Sequence, residues 1–204
     1  MKMSTNATAL AAWAQDLRWN RIQTRLKRGR VLLIFLLAML AFPGLARPGT
    51  TDPYQKRLHA VTTMVVGIIS YARWPTEPNP IRLCVTAPVH YAEGLFDPVL
   101  LTAPRPIKTL RIDLDSPLLG TSCDVVYLGE VNAVQKQDFI HKITGHSILS
   151  ISEKDRECAA GSAFCLQIGN DQAGFKVNLD ALARSGVRVH PNVLQLARKQ
   201  VPPL

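Results

Sequence analysis

Two residues near the C-terminal end of the chain, Arg188 and His190, could bind an anion. One residue separates them in the segment GVRVHP, and side chains two positions apart on an extended chain point the same way. A guanidinium offers parallel N–H donors to a carboxylate or phosphate, and an imidazole adds a donor or a charge. Arg73, in SYARWP, could complete this site. The simpler interpretation is that Arg73 caps a helix and lies against an aromatic ring, while Arg188 and His190 are exposed.

The other residues with chemistry of their own are the four cysteines, Cys84, Cys123, Cys158 and Cys165. They show neither the C-x-x-C spacing of redox centres nor the spacings of zinc sites, so both are disfavoured. In an oxidising compartment an even number of cysteines forms disulfides, and four cysteines allow three connectivities. A turn through residues 161–162 favours Cys158 with Cys165, which leaves Cys84 with Cys123.

The N-terminal segment indicates the compartment in which the cysteine-containing domain folds. Basic residues precede an apolar run over residues 31–42, and small residues follow it. This pattern is typical of a cleavable secretory signal peptide. The run is shorter than the roughly 20 residues of a membrane-spanning helix, and an uncleaved anchor is the alternative. We expect a signal peptide over residues 1–46, cleaved after Ala46, and an exported domain over residues 47–204.

Most of the net positive charge of the chain lies in the expected leader. Lys and Arg number 24 against 15 Asp and Glu, a net charge of +9 that would suit a nucleic-acid partner. Residues 1–46 hold seven of the basic residues and one acidic residue, so the exported domain keeps only +3. No nucleic-acid partner is therefore expected.

The first two thirds of the exported chain alternate helices with buried strands. Helical periodicity begins at Asp52 and ends at RWP, because the residue before a proline leaves the helical region. IRLCVTA, CDVVYLG and HSILSIS predict buried strands, and residues 107–114 an alternating strand. A second helix is expected between its cap Asn132 and its stop Gly145.

The last third of the chain must position Arg188 and His190. AFCLQIGNDQAGFKVNL predicts a β-hairpin, and NLDALARSG a short helix. The extended segment with Arg188 and His190 follows, and then a final helix capped by Asn192. The whole order favours a single layered α/β domain with a mixed sheet.

No enzyme signature is present. The chain contains no G-x-S-x-G, H-E-x-x-H, Walker loop or G-x-G-x-x-G. His90 and Glu93 stand at helical spacing, but two such groups alone make a poor metal site, and a solvated helix face is the simpler interpretation. We expect no catalytic residue, no cofactor and no metal, and the protein is not predicted to be an enzyme.

Three segments, VVGIISYARWP, SISEKDRECAAGSAFCLQI and VNLDALARSGVRVHPNVLQLARK, resemble the YfiR family. The likeness covers about residues 53–199. Members are small periplasmic proteins of Gram-negative bacteria that repress a membrane diguanylate cyclase, YfiN. The resemblance implies that residues 47–204 form a periplasmic regulatory domain with an α/β/α layered fold, a homodimer, and two disulfides in the pairing favoured above.

The resemblance also implies partners and a ligand site. A YfiR-like protein binds the periplasmic part of a YfiN-like inner-membrane cyclase and represses cyclic di-GMP synthesis, which is linked to biofilm formation. A YfiB-like outer-membrane lipoprotein sequesters the repressor and releases that synthesis. The small-molecule pocket of the family maps here onto Arg73, Arg188 and His190. The alternative function is a periplasmic small-ligand binding protein that uses this anion pocket.

Overall fold

The computed structural model describes residues 52–86, 88–155, 158, 161–170 and 172–198, and all of them belong to one compact unit. The expected signal peptide, residues 1–46, lies outside the described residues. Within the ranges given above, no helix is both long and apolar enough to cross a membrane.

Helix α1 (Pro53–Tyr71) opens the domain, and its sequence explains its N-terminal end. The Asp52 carboxylate accepts a hydrogen bond from the Tyr54 N–H, and a proline occupies the first turn, where its missing donor costs nothing. The remaining helices are α2 (Leu119–Ser122), α3 (Ala133–Ile143), α4 (Leu179–Arg184) and α5 (Leu194–Arg198), and short 3-10 turns cover Glu93–Phe96, Pro98–Thr102 and Pro191–Val193. The predicted cap of α3 is confirmed, because Asn132 and Gln135 form a reciprocal capping box.

The strands fall into two separate sheets. They are β1 (Ala72–Arg73), β2 (Ile81–Thr86), β3 (Ile107–Arg111), β4 (Val125–Leu128), β5 (Leu149–Ser152), β6 (Phe164–Ile168), β7 (Ala173–Val177) and β8 (Arg188–Val189). Six of them form one sheet in the order β3-β2-β4-β5-β6-β7. Its pairs are parallel except β6 with β7, which form the predicted hairpin. The mixed sheet is thus confirmed, while β1 and β8 form a two-stranded antiparallel ribbon.

Hydrophobic side chains cover both faces of the large sheet. Leu83 and Val125 pack into one core together with the buried stripe of α1. Their sequence neighbours Cys84 and Val126 face the opposite side and pack with Phe139 of α3. Successive residues of a strand point to opposite faces, so near-continuous apolar strands require helices on both sides. The α/β/α layering implied by the family resemblance is confirmed.

The predicted disulfides are both present. Cys84 pairs with Cys123, with their Cα atoms 5.7 Å apart. Cys158 pairs with Cys165, with their Cα atoms 5.5 Å apart. The first bond ties β2 to the segment that leads into β4, and the second ties the loop before β6 to that strand.

The beginning of the last helix differs from the prediction. The Nδ1 atom of His190, and not Asn192, accepts the capping hydrogen bond, from the Asn192 N–H at 3.2 Å. A 3-10 turn over Pro191–Val193 then leads into α5. The prediction of Asn192 as the cap was wrong. Pro191 suits a first helical position, so the turn begins at Pro191 and its cap is His190, two residues earlier.

Candidate functional site

The ribbon of β1 and β8 brings the three predicted site residues together. Arg73 and Arg188 are direct cross-strand partners, as are Ala72 and Val189. One residue further along, the His190 N–H donates to the Tyr71 carbonyl oxygen at 3.0 Å. This register joins the end of α1 to a segment more than a hundred residues later.

Arg73, Arg188 and His190 are all exposed and line one open cleft of about 610 Å³. The ring of Tyr71 forms a wall of the cleft and stacks on the His190 ring, with centroids 6.4 Å apart and planes 28° apart. Val187, which precedes the ribbon, is buried and anchors it to the core. The cleft is therefore a surface site with an aromatic wall and cationic side chains.

The helix-capping interpretation of Arg73 is confirmed. Its Nη1 donates to the carbonyl oxygens of Ser70 at 2.8 Å and Ala72 at 2.7 Å, at the C-terminal end of α1. A helix leaves its last carbonyls without intrahelical donors, and a cation there also meets the negative end of the helix dipole. These bonds use one nitrogen and orient the guanidinium at the edge of the cleft.

The ring contact expected for Arg73 belongs instead to Arg105. Its guanidinium lies over the Trp74 ring at 5.8 Å. The Arg105 Nη1 donates to Ile69, Ser70 and Ala72 oxygens at 2.8, 3.2 and 3.0 Å, and its Nη2 pairs with Glu77. Two arginines thus share the carbonyls of Ser70 and Ala72. Sequence reasoning missed Arg105, because a single arginine in a proline-containing loop carries no periodic signal.

The arrangement concentrates positive charge on one end of the ribbon. Arg73 and Arg188 oppose each other directly, and like charges in that position are destabilising. An oxyanion placed between them would relieve this repulsion and accept charge-assisted hydrogen bonds. Such chemistry amounts to anion binding.

A second polar cluster lies at the other end of the domain and was also missed. The Glu153 carboxylate, 3% exposed, accepts hydrogen bonds from the His90 N–H at 2.8 Å and the Tyr127 hydroxyl at 3.1 Å. Burial, and secondarily the Glu153 charge, raise the pKa of Tyr127 above its ordinary value. The sequence signal was a lone glutamate directly after an apolar strand.

His90 and Glu93, noted above for their helical spacing, lie near this cluster but do not form a site together. His90 is held through its backbone and lies 3.8 Å from a Glu130 oxygen, whereas Glu93 begins a 3-10 turn. In the described part of the chain, no three His, Cys, Asp or Glu side chains are grouped as metal ligands.

Comparison with known proteins gives a family match over the greater part of the described domain. A family model described as YfiR/HmsC-like matches residues 59–198, a range that contains the ribbon, the cleft and both disulfides. Two solved structures show a weak likeness. One is a putative O-acetylhomoserine (thiol)-lyase from Campylobacter jejuni, 8% identical, with a TM-score of 0.38 over 55% of this chain and 30% of that chain.

The other is the O-acetylhomoserine sulfhydrylase of Wolinella succinogenes, 11% identical, with a TM-score of 0.35 over 57% of this chain and 37% of that chain. The chain spans about a third of the length of these enzymes. A likeness at this level carries no argument about activity.

Proposed function

The chain belongs to the YfiR/HmsC-like family, and from this membership we propose that it is a non-enzymatic regulator that represses a YfiN-like inner-membrane diguanylate cyclase. The observation that carries the proposal is the family match over residues 59–198, which covers nearly the whole described domain. Release of cyclic di-GMP synthesis by a YfiB-like outer-membrane lipoprotein, and action as a homodimer, belong to the same proposal.

A periplasmic location is part of the proposal. The basic and apolar leader has the pattern of an export signal. Both disulfides suit an oxidising compartment, since cytosolic proteins keep their thiols reduced. A regulator placed there would meet the periplasmic part of a membrane cyclase directly.

The physical mechanism is a shift of population in the partner. A binding protein changes the equilibrium between two arrangements of a cyclase only by the difference between its affinities for them. Moving a cyclase from almost fully active to almost fully inactive requires a difference of about 10⁴-fold. A lipoprotein that competes for the regulator would reverse the shift by lowering its free concentration.

The cleft gives the alternative function specific support. Arg73, Arg188 and His190 line one cavity with an aromatic wall, as a small-anion binding site requires. We propose that a small anion binds there, either as a signal that adjusts repression or as the sole purpose of the protein. Arg188→Ala removes one of the two opposed cations and tests whether repression depends on this cleft.

The experiment uses a deletion strain complemented with the wild type, with Arg188→Ala, or with Arg184→Ala as a control. Arg184 is an exposed arginine of α4 that does not line the cleft. If Arg188→Ala loses anion binding but still represses cyclic di-GMP, the cleft is accessory to repression. If both are lost while Arg184→Ala behaves as wild type, the cleft is the sensor.

The main proposal is tested by capture of the purified protein on the immobilised periplasmic portion of a YfiN-like cyclase. We expect stoichiometric binding, and we expect deletion of the gene to raise cellular cyclic di-GMP. Absence of binding together with unchanged cyclic di-GMP would overturn the proposal.

A further inference from the structure

A cavity of about 1030 Å³ lies at the carboxyl ends of the parallel strands, at the opposite end of α1 from the arginine cleft. Its lining includes Tyr91, Glu130, Glu153 and Gly169, which follow β2, β4, β5 and β6 respectively. Strand order reverses between β2 and β4, since β3 is added on one side and β5 on the other. Ligands of open α/β sheets bind outside the carboxyl ends at such a switch point.

The acidic side chains of this cavity already have protein donors. Glu153 accepts from backbone N–H groups and the Tyr127 hydroxyl. Asp155 is paired with Lys136, and Glu130 accepts from Lys154 at 2.8 Å. The bond from Lys154, and then its charge, lower the pKa of Glu130. All three carboxylates already accept hydrogen bonds or form ion pairs within the domain, so the cavity is not arranged to attract a cation.

Arg57 is a cationic lining residue with hydrogen-bonding capacity to spare. A guanidinium has five N–H donors, and Arg57 gives one to the Tyr91 hydroxyl at 3.3 Å and one to the Asn170 Oδ1 at 3.0 Å. Its buried Nε has no acceptor among the described residues. It also forms no ion pair with any residue that the structure describes.

One further feature favours an organic ligand beside Arg57. The Tyr91 ring lines the cavity and provides an apolar wall. Its centroid lies 5.7 Å from that of the Tyr54 ring. A cation beside an apolar wall suits an organic anion better than a bare inorganic ion.

We infer that this cavity is a second ligand site, which binds a small organic anion, a carboxylate or phosphate, through Arg57 against the Tyr91 ring. The site is separate from the arginine cleft and does not rest on the regulatory function proposed above. The two sites lie at opposite ends of α1, so each can be tested without the other.

The four tyrosines of the chain allow a direct test. Tyr54 and Tyr91 report on this cavity, Tyr71 reports on the arginine cleft, and Tyr127 reports on the buried core. The full chain is expressed with ¹³C-labelled tyrosine, and its ring signals are followed by NMR during titration with inorganic phosphate, acetate and benzoate. Comparison of phosphate with the two carboxylates separates the two anion chemistries.

We expect saturating shifts of the Tyr91 and Tyr54 signals, largest with benzoate, and the same shifts in Arg188→Ala. Arg57→Met should weaken binding by at least about tenfold, the value of one charge-assisted hydrogen bond. Arg57→Lys should have an intermediate effect, and Arg184→Ala none. The Tyr127 signal confirms that each variant is folded.

Three results would overturn the inference. They are no saturating shift of Tyr91 with any of the three anions, shifts confined to Tyr71, or equal affinity in folded Arg57→Met. None of them bears on cyclic di-GMP, so failure here is distinct from failure of the regulatory proposal.

Discussion

Arg73 and Arg188 are directly opposed across the antiparallel ribbon of β1 and β8. Like charges on residues that are directly opposed across two strands are destabilising. Arg73 is fixed there by its bonds to the last carbonyls of α1. If the proposed anion site exists, the ribbon accepts some loss of stability in order to hold two cations beside it.

Replacing one of these arginines by an acid should separate stability from binding. Arg188→Glu turns the repulsion into an attraction, so we expect the free energy of unfolding to rise by up to about 1 kcal/mol. Anion binding in the cleft should be lost, because one of the two opposed cations is gone. Chemical denaturation and calorimetric titration with sulfate measure the two effects. A less stable Arg188→Glu would show that the opposed charges impose no cost.

Arg105 should be the more important arginine for folding. Its loss removes hydrogen bonds to three carbonyls of the α1 end, the pair with Glu77 and the contact with Trp74. We expect Arg105→Met to lower the free energy of unfolding by about 2–3 kcal/mol. The matched control is Arg111→Met, which removes a similar contact, over Phe96. Equal losses in the two variants would contradict a special role for Arg105.

Tyr127 should make the domain less stable at high pH. Its ordinary pKa is 10.0, and burial followed by the Glu153 charge raise the pKa in the folded state. Below pH 10 both states keep the proton, so the full stability is present. At higher pH the unfolded state releases its proton first and binds fewer protons, so the free energy of unfolding falls.

The measurement is denaturation between pH 8.5 and 11 for the wild type, Tyr127→Phe and a control, Tyr71→Phe. One group contributes a slope of at most about 1.4 kcal/mol per pH unit. We expect Tyr127→Phe to flatten the decline and Tyr71→Phe to leave it nearly unchanged. Identical slopes in the wild type and Tyr127→Phe would exclude the buried hydroxyl as the cause.

The two disulfides should differ in their contribution to stability. By the chain-entropy estimate, the bond across 7 residues, Cys158–Cys165, contributes about 2.5 kcal/mol, and the bond across 39 residues, Cys84–Cys123, about 4 kcal/mol. Replacing Cys84 and Cys123 together by Ser should therefore cost more than replacing the other pair. Urea denaturation of both double variants tests the order.

In cells, Cys158→Ser or Cys165→Ser should lower the amount of folded protein and raise cyclic di-GMP. Immunoblotting and nucleotide quantification check both effects. Unchanged protein level and unchanged cyclic di-GMP in both variants would count against the proposed repression.

Most of the secondary structure was predictable because its signals are local. The cap at Asn132, the break at RWP and the hairpin turn each depend on residues within a few positions of one another. The cap at Asn192 failed for the same reason, since a neighbouring proline offered an equally local alternative. Both disulfides were predictable because the favoured short loop left a single remaining pair.

The sequence alone determined the layered α/β fold with its mixed sheet. It also singled out Arg73, Arg188 and His190 as candidates for one anion site. It did not determine that Arg73 is paired with Arg188, that Arg105 rather than Arg73 lies over Trp74, or that Arg57 lines a second cavity. Periodicity and capping follow from interactions within one or two turns of chain. Contacts across the fold depend on how packed elements meet in space, and only the tertiary structure decides them.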